Sequence, residues 1–363
     1  MRWLQFKSYI LFWLLSVIII LTGAEFVLRI SKNPGEAIHF VRPSEYPGLY
    51  WENIPNYSGI FENTRLSINE HGFRDRSYSI DKNRGSYRIL NLGNSITFGQ
   101  GVVIDSVYSK QLEVLLNAEP DTVHYEVINA GVEGYNSFQE YVYFKMKGIK
   151  FKPDVVLVGY CLTDPLVITS TKDPFIQNLA DSSSVVTPNP DTMAPLKNST
   201  QIEAFSGNKP PILDLIKQYL DLHSMLYQFL HQLVHNLKED MGIRPPLFQL
   251  LDKEATNDGW TRSAEALSQL ADLARESNTK IVLVIFPVLY KLDNYPFGLV
   301  HEFVRTMAQQ SGIAVIDLLP VYRKYQTGTL KISPSDSIHP NVLGHRLAAQ
   351  TIFTNIRQLF SVP

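Results

Sequence analysis

Five short, β-rich and largely apolar runs frame this chain: Tyr87 to Gly93, Tyr125 to Gly131, Asp154 to Tyr160, Lys280 to Pro287 and Ile313 to Leu318. Each has the length of a buried strand. Between them the apolar residues return at helical spacing: Tyr108, Leu112 and Leu115; Phe138, Tyr141 and Phe144; Leu267, Leu270, Ala271 and Ala274; Leu299, Phe303 and Met307. Continuously apolar strands need cover on both faces, and alternating crossover helices supply it. The pattern therefore predicts a three-layer α/β/α sandwich around a mostly parallel five-stranded sheet, completed by a helix from about Val342 to Phe360.

A hydrophobic content of 45% over 363 residues can fill such a core. The formal net charge of -2 offers no basic surface for nucleic acid. Cys161 is the single cysteine, which excludes an internal disulfide framework, and no Cys/His pairs stand at zinc-ligand spacing. The P-loop, H-E-x-x-H and G-x-S-x-G patterns are also absent, and no metal or cofactor is expected.

The N-terminus carries a membrane signal. Tyr9 to Ala24 is uncharged and largely apolar, with Arg2 and Lys7 before it and Glu25 and Arg29 after it. It is shorter than the about 20 residues of a full span, but it reaches that length if its flanks are partly immersed while Lys7 and Arg29 snorkel. The basic flank predicts the N-terminus inside and the rest outside. Thr22-Gly23-Ala24 also loosely resembles a signal-peptide cleavage site, and cleavage would send residues 31 to 363 across the membrane just the same. The expected organisation is a membrane anchor or signal segment over 1–30, an irregular extracytoplasmic segment or short strands over 31–86, and the α/β domain over 87–363.

That domain carries an insertion over 165–256, since about 95 residues separate the third strand from the next helix, far more than an α/β connection needs. Its first part, to Pro211, is rich in Thr, Ser, Asp, Asn and Pro and reads as a mobile loop. From Ile212 to Leu237 it places Leu215, Ile216, Tyr219, Leu222, Leu226, Phe229, Leu230, Leu233 and Leu237 on one helical face. Leaving from the carboxyl end of a strand, it can pack on the domain, cover the ligand edge as a lid, or do both.

Two constellations carry chemistry. The first strand runs through Gly93-Asn94-Ser95-Ile96-Thr97-Phe98-Gly99, delivering a serine into a glycine-flanked turn at the ligand edge of the sheet. Near the C-terminus, Asp336-Ser337-Ile338-His339 puts a carboxylate and an imidazole three residues apart on one loop, so one segment can supply a general base and the group that orients it. Alone, a serine in a turn is more often a helix cap, and an Asp-x-x-His more often surface decoration.

Together and in this order they resemble the blocks of the SGNH, or GDSL-like, hydrolase superfamily, spread over Tyr87 to Ala349. The first block is Gly93-Asn94-Ser95 with Gly99, where the family usually has Gly-Asp-Ser. The second is Asn129-Ala130-Gly131-Val132-Glu133-Gly134-Tyr135. The third runs from Pro153 to Thr163-Asp164, where the family usually ends in Asn-Asp, and the last is Asp336 to His339. Glu70-His71-Gly72-Phe73-Arg74 also looks like the segment that precedes this domain in membrane-anchored bacterial members.

The resemblance implies a flavodoxin-like sheet and a Ser95, His339 and Asp336 triad. It implies an oxyanion hole of the Ser95 and Gly131 backbone N–H groups with Thr163, and an acyl-ester substrate such as an O-acetylated polysaccharide. Asn94 and Thr163 depart from the pattern, and Thr163 is a shorter donor than the usual asparagine. An esterase, an O-acyltransferase using the same triad, and a catalytically silent glycan-binding protein all stay open. Cys161 reads as a small core residue rather than a second nucleophile, and His223, His231, His235 and His345 are assigned no catalytic role.

Overall fold

The computed structural model describes residues 40–118, 123–166, 258–334 and 336–360, together with scattered positions in 13–27 and 224–234. The chain divides into two compact units, one of residues 1–37 with 194–248 and one of 38–193 with 249–363. In the first, Glu25 Oε2 accepts from Ser224 Oγ at 3.1 Å and from the Leu226 amide at 2.8 Å. Among the described residues no helix is long and apolar enough to cross a membrane. Part of the run Tyr9 to Ala24, nearly all of the lid-like insertion 165–256, and His223, His231 and His235 lie outside the described residues.

The second unit opens with two antiparallel hairpins, β1 (Val41–Pro43) with β2 (Trp51–Asn53), and β3 (Ser58–Phe61) with β4 (Thr64–Ser67). Glu62 and Asn63, at φ 47° and 55°, make the two-residue turn of the second hairpin, which demands left-handed backbone at both positions. Then follow β5 (Ser86–Gly93), a helical turn α1 (Ser95–Phe98), α2 (Tyr108–Ala118), β6 (His124–Asn129), α3 (Ser137–Met146) and β7 (Val155–Cys161). The last part comprises α4 (Asp258–Glu276), β8 (Lys280–Phe286), α5 (Gly298–Gln310), β9 (Ala314–Asp317), α6 (Leu319–Tyr322) and α7 (Val342–Phe360).

The sheet has the order β6-β5-β7-β8-β9, and every pairing is parallel. Helices α2 and α7 pack together on one face, while α3, α4 and α5 pack in series on the other. The three-layer sandwich and its five strands therefore stand as the apolar runs predict. Because the chain steps from β5 outward to β6 and then back across β5 to β7, the carboxyl ends of β5 and β7 form the switch point at which such sheets open a crevice.

Two features differ from expectation. The short strands expected between 31 and 86 are present, but the stretch also contributes core: Phe40, Trp51, Phe61, Leu66 and Phe73 are buried, Phe40 stacks on Phe98 at 5.1 Å, and Phe73 meets Phe151 edge-on at 5.0 Å. Strands of three or four residues are too short to print a period, so these single aromatics look unpatterned in sequence. In α5 the buried positions are His301, Val304, Met307 and Ala308, whereas Leu299 is 86% exposed. A histidine occupies the stripe where an apolar residue would have marked the face, because it pairs with Asp317 on β9 at 2.9 Å.

Candidate active site

At the end of β5 the chain turns sharply into α1. The Asn94 side chain caps this turn, accepting from the Ile96 amide at 3.0 Å, and Gly99 ends it in left-handed backbone at φ 89°. The turn lies directly on the sheet edge. A Cβ at Gly159 of β7 would collide with Thr97 Oγ1 and approach Tyr108 Oη to 2.7 Å, so glycine is required for this approach. As the first residue of the turn, Ser95 has a backbone N–H with no intrahelical acceptor.

The second half of the site comes from the loop before α7. Asn341 holds that loop, donating from Nδ2 to the Thr329 and Lys331 carbonyls while its Oδ1 accepts from the Leu343 and Gly344 amides. Within the loop, Asp336 Oδ1 accepts from the Ile338 and His339 amides, both at 2.8 Å. Its other oxygen meets His339 Nδ1 at 2.7 Å, and His339 Nε2 meets Ser95 Oγ at 2.8 Å. The three expected residues thus form one unbroken hydrogen-bonded series across 244 positions of sequence.

The electrostatics suit proton transfer. Burial works to raise the Asp336 carboxyl, but its bond to His339, the imidazole charge and the two loop amides outweigh it and hold Asp336 below the usual carboxylate range. Burial works to lower His339, but Asp336 first, then Glu133 and Glu62, raise it above an ordinary imidazole. An ionised orienting group beside a base primed to take a proton is the arrangement that activates a hydroxyl nucleophile.

The two departures from the family pattern have local explanations. Asn94 Nδ2 donates to Asp164 Oδ1 at 2.7 Å, so the amide links the Ser95 turn to the segment after β7. Burial raises Asp164 despite this bond, and burial with the nearby Asp164 charge raises Glu140. Both oxygens of Glu140 are buried without a hydrogen-bond partner among the described residues. A second charged group at position 94 would add to this pair of acids, and a neutral amide does not. Thr163 Oγ1 lies 3.0 Å from Cys161 Sγ. Burial pushes the Cys161 thiol up to about 12, so the sulfur keeps its proton and can donate to the threonine, leaving the threonine hydroxyl proton free for another acceptor. An inert, buried thiol agrees with the core role expected of Cys161. His345 is likewise structural: burial pushes it down to about 3, and its Nδ1 accepts from the Tyr108 amide.

The Gly131 assignment needs correction. Its N–H, expected to face the oxyanion, donates to Asn129 Oδ1 at 3.0 Å and is therefore occupied. Gly131 is packed against the backbone of Thr97 and Phe98 instead, where any side chain would clash. Unoccupied amides lie two and three residues on, at Glu133 and Gly134. Tyr135 N donates to the Val132 carbonyl to close a turn whose third residue, Gly134, sits at φ 73°, as a type II turn requires. Such a turn leaves its two central amides unused, and among the described residues no acceptor meets the amides of Glu133 and Gly134. Trp51 Nε1 donates to the Glu133 carbonyl at 2.8 Å and Tyr135 Oη to the Trp51 carbonyl at 2.6 Å, so the first hairpin braces this turn.

The lead-in supplies another component not foreseen. Arg74 is buried, donates to the carbonyls of Phe98, Gly99 and Val102, and lies over the Phe98 ring at 5.0 Å. It fastens the C-terminal end of the Ser95 turn. The only sequence signal for it was the resemblance of Glu70 to Arg74. Among the described residues no group of three His, Cys, Asp or Glu side chains is placed to hold a metal ion.

No protein-family model matches the chain, and no curated protein is significantly similar to it in sequence. Among solved structures, TesA aligns over 75% of this chain and 99% of its own at 15% identity, with a TM-score of 0.42. An acetyl xylan esterase, AlAXEase, aligns over 74% and 99% at 14% identity, with a TM-score of 0.41. Axe2, an acetylxylan esterase from Geobacillus stearothermophilus, aligns over 74% and 94% at 16% identity, with a TM-score of 0.42. Likenesses this distant assign no activity, and the geometry of the site has to carry the functional reading.

Proposed function

We propose that this chain is a serine esterase of the SGNH type that removes acyl groups, acetyl above all, from the hydroxyls of an envelope or secreted polysaccharide. Its N-terminal segment tethers it to the membrane with the α/β domain on the extracytoplasmic side. The observation that carries the chemistry is the Ser95–His339–Asp336 series, with Ser95 on a strand-to-helix turn at the switch point of the sheet. A protein that only bound glycans would have no need of all three groups in hydrogen-bonding register.

Ser95 Oγ attacks the ester carbonyl carbon and its proton passes to His339 Nε2. Asp336 stabilises the resulting imidazolium. Negative charge develops on the carbonyl oxygen, facing the Ser95 amide, the unused amides of the Glu133–Gly134 turn and the Thr163 hydroxyl. Each such donor contributes about a hundred- to a thousandfold to turnover. Collapse breaks the ester C–O bond, and the departing alcohol takes the proton from His339. Water then repeats the sequence on the acyl-Ser95, releasing the acid and restoring the serine.

The tether is supported by the apolar run after Arg2 and Lys7, whose basic flank favours the cytoplasmic side. Two measurements test the whole. The full chain in detergent should release acetate from p-nitrophenyl acetate, and a reporter fused after residue 363 should fractionate with membranes and report from outside the cytoplasm. A chain inert towards activated esters would end the esterase assignment, and a soluble cytoplasmic product would end the tether.

A further inference from the structure

One acidic side chain beside the triad has no structural employment. Glu133 is 5% exposed, and its Oε1 is buried with no hydrogen-bond partner among the described residues. Burying a carboxylate oxygen unpartnered is destabilising, so a fold that only needed to fill this space would place an apolar residue there. Its electrostatic neighbours are His339 and Arg74, which favour its charge, and Glu62, which opposes it. Burial outweighs them all and raises its pKa to about 7.

The neighbourhood adds a second acceptor. Glu62 stands in the turn of the second hairpin, partly exposed, where Gln100 Nε2 donates to its Oε1 at 3.3 Å, and its charge also reaches His339. None of the hydrogen bonds among the described residues joins either glutamate to the imidazole. His339 therefore feels the charge of Asp336, which orients it, and of two carboxylates that do not. The buried, unpartnered oxygen of Glu133 calls for a donor that arrives with the substrate.

Building on the esterase proposed above, we infer that Glu133 is a specificity-determining residue. Its carboxylate accepts a hydrogen bond from a free hydroxyl of the alcohol portion of the substrate, and so selects esters of polyhydroxylated alcohols such as sugars. The preference follows from what the site loses without that bond. A polar site built to receive a hydroxyl discriminates strongly against analogues that lack it, because its own buried group is then left unpaired. An aryl acetate, whose leaving group carries no hydroxyl, should react without this contribution.

The test compares the full chain with Glu133→Leu and Glu133→Gln on two esters, p-nitrophenyl acetate and a glucose mono-acetate. In Glu133→Leu the ratio of kcat/KM for the sugar ester to that for the aryl ester should fall about tenfold or more, while Tm holds or rises because an orphaned carboxylate has gone. Glu133→Gln keeps an acceptor and should recover part of the ratio. Equal losses on both esters with a lowered Tm would reveal a structural residue, and an unchanged ratio would remove Glu133 from recognition; either overturns the inference. A wild-type chain inert on both esters refutes the esterase instead. Glu133 is then judged by the binding of free glucose, read by saturation-transfer NMR, where equal binding in wild type and Glu133→Leu overturns the inference and loss in the variant supports it.

Discussion

Among its described residues, the second unit holds two aspartate–histidine pairs of nearly the same geometry and opposite character. In one, His339 Nδ1 meets Asp336 at 2.7 Å and the far nitrogen meets a serine hydroxyl at 2.8 Å. In the other, His301 Nδ1 meets Asp317 at 2.9 Å and the far nitrogen meets Tyr295 Oη at 3.1 Å. Tyr295 Oη also accepts from the Val288 amide, and Asp317 is shared with Arg305 and the Leu319 amide. Every group of the second pair is already committed to holding α5, β9 and the loop after β8. The difference teaches that an Asp–His pair acquires chemistry from what its second nitrogen faces. Ser95 carries a removable proton at the edge of a switch point, whereas Tyr295 is locked into a buried network.

The largest effects should fall on one pair only. Ser95→Ala and His339→Ala should each lower kcat for acetyl ester hydrolysis by about ten thousandfold or more, and the double variant should lose little beyond either single one, since the two act as a unit. His301→Gln should keep kcat within about tenfold of wild type but cost about 1 to 3 kcal/mol in a denaturant titration, as buried hydrogen bonds are broken. Comparable kinetic losses in His301→Gln and His339→Ala would dissolve the contrast.

A smaller and continuous effect is expected in pH. His339 must be neutral to accept the serine proton, and its pKa is raised by Asp336, Glu133 and Glu62. Activity should therefore fall on acidification with an apparent pKa above the ordinary imidazole value of about 6.5. Asp336→Asn should move that limb to lower pH as well as lowering kcat. An acid limb in the carboxylate range for the wild type would point to a different base.

The smallest effect concerns the buried acids Glu140 and Asp164, whose carboxyl groups influence each other electrostatically. Both are raised, by burial first, so the native state holds protons that the unfolded chain releases above about pH 4. The stability this lends is present at low pH and is lost as pH rises towards the raised native values. Glu140→Gln cannot release that proton and should flatten the fall in Tm between pH 5 and pH 8. Parallel Tm curves for the two proteins would show that Glu140 does not titrate in this window.

Much of this architecture was legible because the central strands are continuously apolar and alternate with helices. The runs from Tyr87, Tyr125, Asp154, Lys280 and Ile313 appear within a residue or two as β5 to β9. The serine turn and the Asp336 to His339 loop were legible because each keeps its chemistry within a few consecutive residues. What stayed hidden depends on contacts between distant short segments. Trp51 bracing Glu133, Arg74 fastening α1 and Phe40 stacking on Phe98 leave no period in a chain of three-residue strands. The Gly131 expectation failed for a related reason: motif spacing names a glycine, but only the backbone shows that its amide is bound to Asn129 while the next turn keeps its amides free. His301 was invisible because its partner lies 16 residues away on another element.

The central claim is that Ser95 is the nucleophile of a working Ser95–His339–Asp336 site, and covalent labelling tests it most directly. A fluorophosphonate phosphonylates a serine activated by its base, forming the Ser Oγ–P bond, displacing fluoride and taking the place of the acyl group. The full chain treated with such a probe should gain one adduct, mapped by peptide mass spectrometry to Ser95. Labelling should vanish in Ser95→Ala, slow by orders of magnitude in His339→Ala, and persist in His301→Gln. No adduct on a well-folded wild-type chain, or an adduct at another residue such as Cys161, would contradict the account.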